Sequence, residues 1–138
     1  MLKAKDIMTK QVVYVRTDTP VLDAMNLMVE NTITGIPVID DDMTLVGMVS
    51  EQDILRLFHT FIDEKDRAVS DFMTQPAVYF EEDEPALDIC YCLRDHTIRR
   101  VPITSNGKVV GIISRSDIIK YILVLSEQDA QQAVGESK

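Results

Sequence analysis

The chain has 138 residues, the size of one ordinary domain, with 46% hydrophobic and 27% charged residues, a globular composition that excludes a largely disordered chain. Its formal net charge of −9, with no run of Lys or Arg, disfavours a nonspecific grip on nucleic-acid phosphates. No apolar run reaches the roughly 18 residues of a membrane helix, and Met1 to Asp6 shows no apolar signal segment, so the expected location is the cytosol.

In chain order, a short helical turn is predicted over Ala4 to Met8. The β-branched and aromatic run Val12-Val13-Tyr14-Val15 then predicts a strand. Thr17-Asp18-Thr19-Pro20 offers a cap and a proline at the first helical position, and Val21 to Val29 follows as a helix with one broad apolar face. Gly35 to Ile39 and Leu45 to Val49 are compact apolar strands joined by the turn acids Asp40-Asp41-Asp42. Ser50 then caps a helix that ends near Phe58. The same slots recur as a turn at Val69 to Met73, strands at Ala77 to Phe80, Val101 to Thr104 and Val109 to Ser114, and helices at Pro85 to Asp95 and Ser116 to Val124. Residues 59–67 read as a charged connector and 126–138 as a polar, frayed tail. Cys90 and Cys92 fall two apart on a helix, where they face different ways and read as reduced packing residues. His59 and His96 have no metal-ligand spacing and read as surface or structural.

The recurrence is a duplication. Asp6-Ile7-Met8-Thr9, Asp18, Pro20, Leu22-Asp23, Thr32-Ile33 and Pro37 return 65 residues later as Asp71-Phe72-Met73-Thr74, Asp83, Pro85, Leu87-Asp88, Thr97-Ile98 and Pro102. Gly47 to Ile54 returns as Gly111 to Ile118 at an offset of 64, which places a one-residue deletion in the turn between. Identity between the copies is roughly a third, well above chance. Each copy is only half a usual folding unit, so the halves (1–58 and 68–125) are expected to share a core.

Two motifs carry the chemistry. The first is a glycine-led strand running into Ser-x-x-Asp, Gly47 to Asp53 and Gly111 to Asp117. Its spacing reads first as a capping box, and such a helix start also presents N–H groups and a carboxylate to a hydroxyl-bearing or anionic ligand, two roles that can coexist. The second is Arg99-Arg100-Val101-Pro102, whose counterpart is Thr34-Gly35-Ile36-Pro37. Paired guanidinium forks suit phosphate oxygens, while surface arginines balancing Asp83 or Glu84 are the alternative.

Strand, Pro-started helix, apolar-Pro strand and Gly-apolar-apolar-Ser-x-x-Asp, given twice in that order, resemble a tandem pair of cystathionine-β-synthase (CBS) domains over about Asp6 to Tyr121. The resemblance implies an α/β (α+β) fold in which two pseudo-twofold-related βαββα repeats pack sheet to sheet. It implies two clefts for adenosine-containing ligands, and association of two pairs into a disc-shaped homodimer.

By the same resemblance, Asp53 and Asp117 would hold ribose hydroxyls, assisted by Ser50 and Gln52 in one copy and by Ser114 and Ser116 in the other. Thr17, with Glu82 as its counterpart, would face ligand, Arg99 and Arg100 would hold phosphate, and Ile36, Pro37, Val101 and Pro102 would wall the adenine. Each cleft would take its aspartate from one repeat and the residues before the apolar-Pro strand from the other. Asp53 would then stand with Arg99, Arg100 and an opposing Glu82. Asp117 would stand with Thr17, Thr34 and Gly35, with Arg115 as a substitute cation. Of the two, Asp117's cleft is expected to recognise adenosine better.

The function implied is a non-catalytic module that binds AMP, ADP, ATP or a similar regulatory ligand, with no obligatory cofactor, and signals to a separate effector protein. A dimeric scaffold with idle clefts is the alternative. An enzyme has the least support, since the sequence pairs no nucleophile with a base and carries no phosphate-cradling Gly loop.

Overall fold

The computed structural model describes residues 1–95 and 97–136. His96 and the last two positions of the expected tail lie outside the described residues. The first repeat contains β1 (Val15–Arg16), α2 (Val21–Asn31), β2 (Gly35–Ile39), β3 (Leu45–Ser50), α3 (Glu51–Ile54) and α4 (Leu57–Glu64), preceded by α1 (Ala4–Ile7). The second contains β4 (Phe80–Glu81), α5 (Ala86–Asp95), β5 (Arg100–Ser105), β6 (Lys108–Ser114) and α6 (Arg115–Glu136), preceded by a 3₁₀ turn at Val69–Asp71. This is the mixed α+β architecture expected, with two three-stranded sheets ordered β1-β2-β3 and β4-β5-β6.

In each sheet the helical crossover makes the first pair parallel, and the hairpin makes the second antiparallel. The one-residue deletion sits in the hairpin turn. Asp40 to Thr44 join β2 to β3, with the Asp40 carboxylate accepting from the backbone N–H groups of Asp42 and Thr44. In the second copy the turn contracts to Asn106-Gly107, both at positive φ, the pairing that a two-residue hairpin favours. The Glu81 carboxylate accepts from both turn amides, at 3.1 and 3.3 Å.

The buried residues form two clusters where a shared core was expected. One gathers Val15, Val21, Met28, Ile36, Val38 and Val49, and the other Ile89, Leu93, Val101, Ile103 and Ile113. What joins the halves is an exchange of leaders. Ala4 belongs to the second cluster, while Val69 and Phe72 belong to the first. Ala4 N donates to Glu84 O and Lys5 N to Glu82 O, and in mirror fashion Val69 N donates to Thr19 O and Ser70 N to Thr17 O.

Local differences from expectation have physical causes. The connector is helical to Glu64, because Leu57, Phe61 and Glu64 recur at helical spacing and Arg56 holds Glu64 through two N–H···O bonds of 3.2 and 3.0 Å. The tail 126–136 continues α6 rather than fraying into coil. Its Glu, Gln and Ala residues are strong helix formers added to an existing helix, so no new nucleus is needed. β1 and β4 are two residues each, and the segments before them run along the other repeat. Thr19 does not cap α2: its Oγ1 accepts from Arg16 N, and Pro20 holds the cap position.

Candidate ligand-binding site

β2 and β3 pair with Gly35 opposite Ser50, and β5 and β6 pair with Arg100 opposite Ser114. This register brings the residues before each apolar-Pro strand to the same sheet end as the Ser-x-x-Asp of their own repeat. The other repeat arrives there through its Asp-x-Met-Thr segment. Thr74 exchanges backbone hydrogen bonds with Met48, at 2.7 and 3.1 Å, and Thr9 does so with Ile112, at 2.9 Å each way.

Both aspartates are held alike. Asp53 Oδ2 accepts from Ser50 N at 2.8 Å and from Ser50 Oγ at 3.0 Å, while Oδ1 accepts from Thr74 Oγ1 at 3.1 Å. Asp117 Oδ2 accepts from Ser114 N and Oγ, and its Oδ1 from Thr9 Oγ1 at 3.0 Å. The capping-box reading therefore holds in both copies, with a threonine of the opposite repeat as a third donor. A carboxylate has roughly four acceptor sites, so Oδ1 of each keeps one for a ligand hydroxyl. Thr9 and Thr74 are the residues that motif spacing alone missed, although both lie in the duplicated Asp-x-Met-Thr.

A cavity of about 290 Å³ opens beside Asp53. The first repeat lines it with Thr34, Gly35, Met48, Ser50, Glu51, Gln52 and Asp53. The second contributes Thr74, the stretch Pro76-Ala77-Val78, and Thr97, Ile98, Arg99 and Arg100. Asp53, Ser50 and Gln52 thus meet Arg99 and Arg100 in one place. Arg100 is half-buried, and its Nε is shut from solvent with no hydrogen-bond partner among the described residues. Burial pushes its guanidinium below the ordinary value, and the Asp117 carboxylate opposes that push.

Thr34 and Gly35 are found lining Asp53's cavity, because the β2–β3 register seats them beside Ser50. Other assignments are corrected. Thr17 and Glu82 follow β1 and β4, at the opposite sheet end from Gly35 and Arg100, where their carbonyls accept from the exchanged leaders. Glu82 therefore does not oppose an anion in the cavity, and Thr17 does not join Asp117. Ile36 and Val101 are fully buried in the two hydrophobic clusters, and Pro37 and Pro102 are buried in the strands between. The apolar wall is supplied instead by Met48, Ala77, Val78 and Ile98. Arg115 donates Nε to Leu93 O at 3.0 Å, at the end of α5. Ser116 Oγ lies 3.0 Å from Ser114 Oγ, beside Asp117.

The family model for the CBS domain matches twice, over residues 4–60 and 69–124. Among curated proteins, the uncharacterized protein YlbB of Bacillus subtilis is 33% identical over 134 residues, covering 96% of this chain and 87% of that protein. The inosine-5'-monophosphate dehydrogenase of Methanocaldococcus jannaschii is 34% identical over 122 residues, but the match spans only 23% of that enzyme. Among solved structures, CBSX2 in complex with AMP superposes with a TM-score of 0.81 at 32% identity, covering 91% of this chain and 99% of that one. CBSX2 is a protein of Arabidopsis thaliana. With both halves matched and the fold shared along nearly its whole length, this chain belongs to the CBS-domain family as a tandem CBS pair.

Proposed function

We propose that the chain is a non-catalytic regulatory module that holds an adenosine-containing ligand in the cleft between Asp53 and the Arg99-Arg100 pair. One observation carries the reading: a single cavity is lined by a carboxylate with a spare acceptor site and by two arginines, one of which has an enclosed Nε with no hydrogen-bond partner among the described residues. A ribose reads the first and a phosphate the second. The AMP bound to CBSX2, a relative of the same fold, supports the same ligand class. Asp53's cleft is preferred over Asp117's, since the cation pair lines it and Glu82 lies at the opposite sheet end.

A thermal-shift panel of AMP, ADP, ATP, S-adenosylmethionine and NAD tests this. A ligand at about 100 times its dissociation constant raises stability by about 2.7 kcal/mol. The shift is expected to vanish in Asp53→Ala combined with Arg100→Ala and to persist in Asp117→Ala. A flat panel overturns the reading, and so does a shift lost only with Asp117. The effector is a separate protein or a second CBS pair. α4 and α6 expose Phe58 (96%), Ile62 (80%), Ile119 (58%) and Leu123 (59%), apolar surface suited to a homodimer. Sedimentation of Ile62→Asp with Leu123→Asp is expected to give monomer where the parent gives dimer.

A further inference from the structure

Among the described residues, the charged ones lining the cleft are Glu51, Asp53, Arg99 and Arg100, whose formal charges cancel. Asp53 is tied into the Ser50 cap and the Thr74 hydroxyl, and its remaining acceptor site suits a neutral hydroxyl. Arg99 and Arg100 are then the lining residues left to meet whatever anion the ligand carries. Glu51 is different. It is exposed, it lines the cavity, and no hydrogen bond or ion pair among the described residues engages its carboxylate. At the matching place in the second repeat stands Arg115, so a carboxylate here belongs to this cleft alone.

We infer that Glu51 is a specificity-determining residue that restricts the cleft to ligands with about two negative charges, a nucleoside monophosphate in preference to a di- or triphosphate. This rests on the reading that the cleft takes an adenosine-containing ligand. A phosphate monoester carries about −1.5 to −2 at neutral pH, which Arg99 and Arg100 match. Each further phosphate adds negative charge that finds no third cation among the described lining residues and meets Glu51 instead. Space acts in the same direction, because about 290 Å³ lies at the small end of the range, roughly 300 to 1,000 Å³, of small-molecule pockets.

Calorimetric titration of the full chain with AMP, ADP and ATP, without magnesium, provides the test. The parent is expected to bind in the order AMP, ADP, ATP. Glu51→Gln should narrow the AMP-to-ATP affinity ratio severalfold and Glu51→Arg by about tenfold, with AMP affinity itself moving least. Glu51 is exposed, so both variants should melt with the parent when free of ligand. If AMP binds but neither variant moves the ratio, or if the parent prefers ATP, the inference about Glu51 falls while the site reading stands. If none of the three nucleotides binds, both fall.

Discussion

Gly47 and Gly111 hold equivalent places in the two repeats but face different neighbours. A Cβ on Gly47 would sit 2.7 Å from the Thr74 carbonyl oxygen, a backbone atom fixed by the exchange with Met48. On Gly111 the three nearest atoms all belong to the side chain of Met8, with Cγ at 2.8 Å. Backbone cannot step aside as a methionine can, so Gly47→Ala should cost about 2–3 kcal/mol and Gly111→Ala about 1 kcal/mol. Urea denaturation measures both, and equal costs would refute the distinction. Thr104 is fully buried, its Oγ1 has no partner among the described residues, and its counterpart in the first repeat is Ile39. Thr104→Val keeps the shape and removes the orphaned hydroxyl, so stability should stay level or rise by about 1 kcal/mol. A lower midpoint would mean that the hydroxyl has a partner after all.

α6 runs 22 residues, and from Leu123 to Gly135 its side chains are exposed. Ending the chain at Leu125 should therefore lower helical circular dichroism while shifting the unfolding free energy by less than about 0.5 kcal/mol, because almost no buried surface is lost. A drop of several kcal/mol would show that the outer turns are covered in solution. This helix marks one limit of sequence reading, since polarity argued for fraying while the propensity of Glu, Gln and Ala won. β2, β3, β5, β6, α2 and α5 were legible because their apolar periods and turn residues agree with one another, whereas β1 and β4 share only Val15 and Phe80 with the runs expected to form them. The cleft was legible only in part. Ser-x-x-Asp and Arg99-Arg100 stood out by type and spacing, whereas Thr74 and Met48 reach the cavity through pairing between repeats that no local pattern encodes. Thr17 and Glu82 were misplaced for the same reason: which end of a sheet a turn occupies depends on the partner strand.

The exchange of leaders makes the sequence repeat and the structural half different objects. Residues 2–9 complete the second half: Ala4 is fully buried in its cluster, Leu2 O accepts from Ala86 N, and Thr9 pairs with Ile112. Residues 67–74 complete the first in the same way, with Val69 and Phe72 inside its cluster and Thr74 paired with Met48. The hairpins meet as well, where Leu45 N donates to Gly107 O and Val109 N to Met43 O. A fragment of residues 1–66 would keep β1 to α4 but lose Val69 and Phe72 from the cluster that holds Val15, Val21 and Leu57, and leave unpaired the Met48 backbone groups that bond Thr74. Burying two large side chains stabilises by about 1.5–3 kcal/mol each, a large share of the margin of a domain this small. The isolated fragment is therefore expected to be unfolded by circular dichroism and to give no cooperative melt. The full chain should melt in one transition seen alike by far-ultraviolet dichroism and by tyrosine fluorescence. Mixing 1–66 with 67–138 should restore the native spectrum, because each piece carries the leader that the other half lacks. A cooperative melt of 1–66 alone would show that the first repeat is self-sufficient and that the exchange is dispensable.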